Sequence, residues 1–275
     1  MTSRADSGTR AEGIPALRRW SRRERLLALS LLALATVAWL LTNRLAMPEM
    51  TVGILTGADP MADGMRPGLA DGVALFLITW VVMMAAMMLP SIAPFTVGID
   101  RIMRRAAVGR AGTIALTLGY FVVWLGAGVA AFAVVRGFDA AAADSGALAA
   151  RLGAGVLLVA GLYQLTPLKR VCLRHCRAPA LLLLQHGPKA VRGRFGAFSA
   201  GLSHGGYCLG CCWALMVVLL AAGVMSLAWM GVIAAMVALE KLPRRGAAIS
   251  LAFGAILIIL GCAVLIRPDI LISLS

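Results

Sequence analysis

A chain of 275 residues that is 61% hydrophobic and 14% charged, with mean hydropathy +0.89, does not fold as a water-soluble domain. Its net charge of +14 would suit a nucleic-acid binder, but no nucleic-acid motif is present. The basic residues instead fill short connections between apolar runs, as in polytopic membrane proteins.

Residues 1–25 are polar and basic, with Arg18, Arg19, Arg22, Arg23 and Arg25 crowding the approach to the first apolar run. That run is longer than a signal-peptide core and no small-x-small cleavage site follows it, so it reads as a retained anchor. Runs of bilayer-crossing length lie at Leu26–Ala46, Leu69–Leu89, Thr113–Val135, Ala147–Leu165, Phe198–Val224, Leu227–Leu242 and Ala247–Ile266. The expected fold is all-α, a polytopic helical membrane protein of about seven transmembrane helices. Its layout would be a basic cytoplasmic tail over 1–25, one transmembrane helical domain over 26–266 and a short outer tail over 267–275.

Lys and Arg assign the two sides. Seven precede residue 26, four lie between Arg101 and Arg110, seven between Lys169 and Arg194, and three between Lys241 and Arg245. In a seven-span chain these 21 of 26 basic residues fall on one side. By the positive-inside rule that side is the cytoplasm, with the N-terminus inside, the C-terminus outside and the chain in a bacterial inner membrane. Four chemistry-bearing stretches then share the cytoplasmic leaflet: Met83 to Met88, a cytoplasmic Cys/His loop over 166–195, His204 to Cys212, and Glu240.

The stretch from Ser203 to Met216 is the densest of them. On a helix His204, Cys208, Cys211 and Cys212 occupy i, i+4, i+7 and i+8, which is one face. Cysteines also pack well between helices, but three so close together beside a histidine point to a ligand set. In Cys172-x-x-His175-Cys176 one helical turn would aim two thiols and an imidazole the same way, a donor set for Cu(I) or Zn(II). The neighbouring Arg170, Arg174 and Arg177 would favour thiolates there.

Met83, Met84, Met87 and Met88 form two i, i+4 pairs of soft thioethers, which favour Cu(I). Methionine is also ordinary core filler, and two of the four should face lipid or a neighbouring helix. Pro90 should kink or end that helix. Gly205, Gly206 and Gly210 allow close helix approach or a break in the fifth span. Glu240 reads as an interfacial ion-pair partner of Lys241 or, more sharply, as a proton acceptor supporting a metal site. The outer stretch Met47–Pro67 scatters Met47, Met50, Met61 and Met65; Cys262 is expected to pack, and His186 to sit at the membrane surface.

Three segments combine: Trp80-Val81-Val82-Met83-Met84-Ala85-Ala86-Met87-Met88-Leu89-Pro90; Gly161-Leu162-Tyr163-Gln164-Leu165-Thr166-Pro167-Leu168-Lys169 leading into Cys172-x-x-His175-Cys176; and Gly206-x-Cys208-x-Gly210-Cys211-Cys212-Trp213. Together they resemble a family of bacterial integral membrane proteins labelled predicted metal-binding proteins, some of them copper chaperones. The resemblance runs from about Asp71 to about Arg245. It implies a metal-linked role at those Met, Cys and His positions, and neither a transport direction nor a partner.

The reading that unites these features is a copper-handling membrane protein and not an enzyme, one that delivers, chaperones or translocates Cu(I), with Zn(II) as the other candidate ion. Cys208, Cys211 and Cys212 with Met84, Met87 or Met88 would hold the ion, and Cys172, His175 and Cys176 would form an entry or exchange site. Partners would be the lipid bilayer, the metal ion, and a copper enzyme or soluble metallochaperone. Two other classes stay open. One is a membrane thiol–disulfide oxidoreductase using Cys208-x-x-Cys211, which the reducing cytoplasmic side disfavours. The other is a non-catalytic assembly subunit whose cysteines only pack.

Overall fold

The computed structural model describes residues 21–45, 69–142, 146–177, 179–222, 227–241 and 245–266. Every regular element among them is an α-helix: α1 (Arg22–Leu45), α2 (Leu69–Arg105), α3 (Gly109–Ala142), α4 (Gly146–Leu165), α5 (Pro167–Arg177), α6 (Pro179–Ala190), α7 (Arg194–Ala222), α8 (Leu227–Glu240) and α9 (Gly246–Ile266). Five of these, α1, α2, α3, α7 and α9, are long and apolar enough to cross a membrane. A sixth crossing is available if α4 and α5, bent by 67° against each other, act as one span. At 14 residues α8 is shorter than the run over 227–242 suggests. The methionine stretch over 47–67 lies outside the described residues.

Residues are sorted as in a protein whose solvent is hydrocarbon. Leu40, Ile114 and Ile259, on α1, α3 and α9, are largely exposed, while Gln164, Lys169 and Glu240 are buried.

Local chemistry sets the helix ends. At the start of α1 the Ser21 N–H donates to Glu24 Oε2 at 2.9 Å and the Glu24 N–H donates to Ser21 Oγ at 3.4 Å, a capping box. The helix therefore begins inside the segment that reads as a tail. Glu24 also receives Arg101 through Nε at 2.6 Å and Nη2 at 2.7 Å, which ties the head of α1 to the foot of α2.

Between α4 and α5, Thr166 is the hinge. Its hydroxyl accepts the Lys169 N–H at 3.3 Å, and Pro167 takes the first helical position, where a missing N–H costs nothing. The expected cytoplasmic loop over 166–195 is thus two helices, α5 and α6, folded back onto the bundle.

Two expectations for the long helices are narrowed. Pro90 neither ends α2 nor defines its boundary: α2 continues through Pro90 and Pro94 for 37 residues. It is held by α1, α3, α6 and α8 around it, so lost backbone bonds are offset by packing. The same enclosure buries all four of Met83, Met84, Met87 and Met88, so none faces lipid. Likewise α7 is unbroken at Gly205, Gly206 and Gly210.

Its glycines serve close approach instead. An added Cβ at Gly201 would run into the Leu116 carbonyl oxygen, and one at Gly119 into that of Phe198. One at Gly205 would meet Val123 Cγ2 at 3.0 Å and Tyr120 O at 3.1 Å. Gly201 and Gly205 are one turn apart, so α3 and α7 pack backbone to backbone, as small-residue stripes permit. Gly161 and Gly254 do the same for α4 and α9.

One charged contact crosses the middle of this bundle. Lys169 Nζ of α5 meets Glu240 Oε2 at 2.7 Å, with side chains 0% and 2% exposed. Gln164 Nε2 donates to Glu240 Oε1 at 2.9 Å, and Ser250 Oγ lies 3.3 Å from Gln164 Oε1, so α4, α5, α8 and α9 share one polar network. Glu240 thus pairs with Lys169 and not with its neighbour in sequence.

Two stability outcomes follow. Gly201→Ala should lower the thermal unfolding midpoint of detergent-purified protein, by overpacking worth about 1–3 kcal/mol, whereas Gly206→Ala, with nothing within 4 Å of an added Cβ, should not. Glu240→Leu should cost about 3–5 kcal/mol by stranding Lys169, and Lys169→Met with Glu240→Leu should recover much of that loss. Equal losses in the single and double variants would show that the charge pair is not what the fold depends on.

Candidate metal centre

The centre is built on α7, whose helical repeat sets Cys208, Cys211 and Cys212 on one face. All three are 1% exposed, and their sulfurs lie within 4.8 Å of one another. Cys211 Sγ and Cys212 Sγ donate to the Cys208 carbonyl at 3.1 and 2.9 Å, so the thiols sit against their own helix.

A second helix adds to the group. Cys176 Sγ of α5 is 3.6 Å from Cys211 Sγ. Cys172, one turn earlier, is buried against Gly210, where an added Cβ would stand 2.8 Å from its Sγ. Gly210 is thus the notch that seats Cys172, and Tyr163 of α4 donates its hydroxyl to the Gly210 carbonyl. The two cysteine motifs, 32 residues apart from Cys176 to Cys208, form one continuous sulfur-lined region.

The other two donors in these motifs behave differently. His175 is turned aside: its ring stacks on Tyr207 with centroids 4.4 Å apart, and Nδ1 is 2.9 Å from the Val171 carbonyl oxygen. His204, one turn before Cys208, is buried and stacks on Phe95 at 4.0 Å. Arg170 and Arg174 are exposed, and Arg170 bonds the Leu165 carbonyl, so they do not face the thiols as the sequence suggests.

Met83, Met84, Met87 and Met88 belong to the same buried cluster as the cysteines, joined by Met216 of α7. The structure therefore gathers all four stretches: α5 meets α7 through sulfur, α5 meets α8 through Lys169 and Glu240, and α2 contributes its methionines to the shared core.

Three residues at the centre carry no motif. Tyr120 of α3 places its hydroxyl 3.1 Å from Cys208 Sγ. Lys241, the first residue beyond α8, donates to Ser91 Oγ at 2.8 Å and lies 3.7 Å from Cys208 Sγ. His186 of α6 is 2% exposed instead of at the surface, and burial, with Lys189 and His175 nearby, holds its imidazole below the ordinary range. Lys241 had a legible signal, the basic residue directly after an in-span carboxylate. Tyr120 and His186 had none, since a single tyrosine or histidine in an apolar helix carries no spacing. Cys262, expected to pack, is exposed on α9 and remote in sequence from the group.

Chemically, several closely spaced thiols with thioethers nearby suit a soft, monovalent, thiophilic ion, and Lys241 supplies a positive charge against the negative charge that metal-bound thiolates carry.

Comparison with known proteins agrees with that donor set. The family PpoB2, described as copper chaperone, matches residues 77–264. No curated protein and no solved structure matches the chain. With most of its length aligned, from the methionine-bearing helix to the last apolar one, the chain belongs to the PpoB2 copper chaperone family.

Proposed function

We propose that the protein holds Cu(I) within a bacterial inner membrane and passes it to a partner, with Cys208, Cys211 and Cys212 as the holding ligands. The observation that carries this reading is three buried sulfurs within 4.8 Å of one another, with a fourth, Cys176, 3.6 Å from Cys211. Two or three thiolates are the preferred surroundings of Cu(I), and a spare thiol at contact distance permits ligand exchange without free ion. Cys176 is that spare ligand, and Cys172 backs it from the same helix. Met84, Met87 and Met88 supply weaker sulfur on the α2 side.

The family description supports copper as the cargo. The positive-inside count supports a cytoplasmic N-terminus and puts the centre in the cytoplasmic leaflet, with α4–α5 and α8 completing about seven crossings. The recipient would be a copper enzyme or a soluble metallochaperone, and the role is carriage, not catalysis. The rival redox reading uses the same thiols, since Cys208 and Cys211 also have exchange spacing.

The test is copper analysis of detergent-purified protein, reduced and loaded anaerobically with Cu(I), beside the Cys208→Ser, Cys211→Ser, Cys212→Ser variant. Stoichiometric sulfur-bound copper in the parent and loss of that sulfur-bound equivalent in the variant is the expected result; a parent that takes up none would defeat the proposal. Cys176→Ser should keep the bound copper but slow its transfer to a Cu(I) chelator added outside, read as a drop in the transfer rate. Met87→Leu with Met88→Leu should weaken Cu(I) binding while leaving thiol reactivity unchanged, an outcome the redox reading does not anticipate.

A further inference from the structure

Three nitrogen atoms in one place have no partner among the described residues: His186 Nδ1, His186 Nε2 and His204 Nδ1. Both side chains are buried, at 2% and 5% exposure. Buried imidazole nitrogens are expensive to leave unpaired, because nothing replaces the water they have lost. The two rings come from different helices, α6 and α7, and their centroids stand 6.5 Å apart at 75°.

That separation is informative. With metal–nitrogen bonds of about 2 Å and roughly 1 Å from ring nitrogen to ring centre, two imidazoles opposed across one ion have centroids about 6 Å apart. The observed distance lies within a small side-chain adjustment of that arrangement. Phe95 walls the space, 4.0 Å from His204 and 5.9 Å from His186. Lys189 and His175 act on His186, and Cys208 and Lys241 act on His204. Two neutral nitrogens in an apolar niche suit a monovalent ion that accepts two-coordination. They do not suit Zn(II), which wants four ligands.

We infer that His186 and His204 form a second station, a two-nitrogen Cu(I) site one helical turn from Cys208. It rests on the copper-holding reading of the cysteines, and it orders the sites: the weaker imidazole pair receives the ion and the thiols take it over. The shared helix makes the step short, since His204 and Cys208 are i and i+4 on α7.

The test is X-ray absorption at the copper edge on anaerobically loaded, detergent-solubilised full chain. The parent should take up a second equivalent with a two-nitrogen, short-bond signature beside the sulfur signature. His186→Leu, an apolar replacement in an apolar niche, should lose the nitrogen signature and the second equivalent while keeping sulfur-bound copper. The cysteine triple variant should keep nitrogen-bound copper alone. Sulfur-only copper in the parent, unchanged in His186→Leu, would overturn this inference and leave the cysteine centre standing, whereas no copper in any form would remove both. Should His186→Leu fail to fold, the parent spectrum and the triple variant still decide the matter.

Discussion

The 67° bend after Thr166 would send α5 away from the bundle if nothing held it there. What holds it is the buried contact between Lys169 and Glu240. Such a pair adds little net stability, because desolvating two charges roughly cancels their attraction. Its value is selective: any other placement of α5 leaves a full charge without a partner in an apolar interior. Gln164 donates to Glu240 and Ser250 to Gln164, so four helices agree on one geometry. Two consequences reach the centre directly. Cys172 and Cys176, one and two turns along α5 from Lys169, are delivered to Gly210 and Cys211, and Lys241, next to Glu240, is delivered to Cys208.

The other half of the centre depends on backbone proximity. Cys208, Cys211 and Cys212 are fixed because α7 is unbroken and lies against α3 with only glycine between them at Gly119, Gly201 and Gly205. In hydrocarbon there is no gain from hiding apolar surface, so small residues and dispersion contacts must do the positioning. That closeness also brings Tyr120 within hydrogen-bonding distance of Cys208. An unbroken three-sulfur helix faces a short helix, α5, which packs on α7 and is tied to α8 through Lys169 and Glu240.

Much of this was legible in the sequence. Helix type, the main apolar runs with the fourth ending at Leu165, and the one-face register of Cys208, Cys211 and Cys212 all follow from local rules. What failed to read out depended on neighbours. Met83 to Met88 were expected to place two side chains against lipid or a neighbouring helix; α2 packs against α1, α3, α6 and α8, and all four methionines are buried, a fact of topology that no window of residues contains. Pro90 was expected to kink or end α2; the helix continues through it, and packing overrode the local penalty. His186 read as a surface residue because a lone histidine after Leu181–Leu184 gives no hint that α6 folds inward against Phe95 and His204.

The arrangement of donors also bears on direction. Imidazole nitrogens and thiol sulfurs occur in sequence along α7, and thiolates bind Cu(I) far more tightly than neutral imidazoles do. On the proposed two-station reading, an ion moving from His204 toward Cys212 would therefore move downhill. Release then needs a partner that offers sulfur of its own, and the place it would approach is the one where a ligand is least confined: Cys176, which is half-buried where its three neighbours are sealed. On the proposed reading, the chain would load without an energy source and unload onto a competitor, as a carrier does.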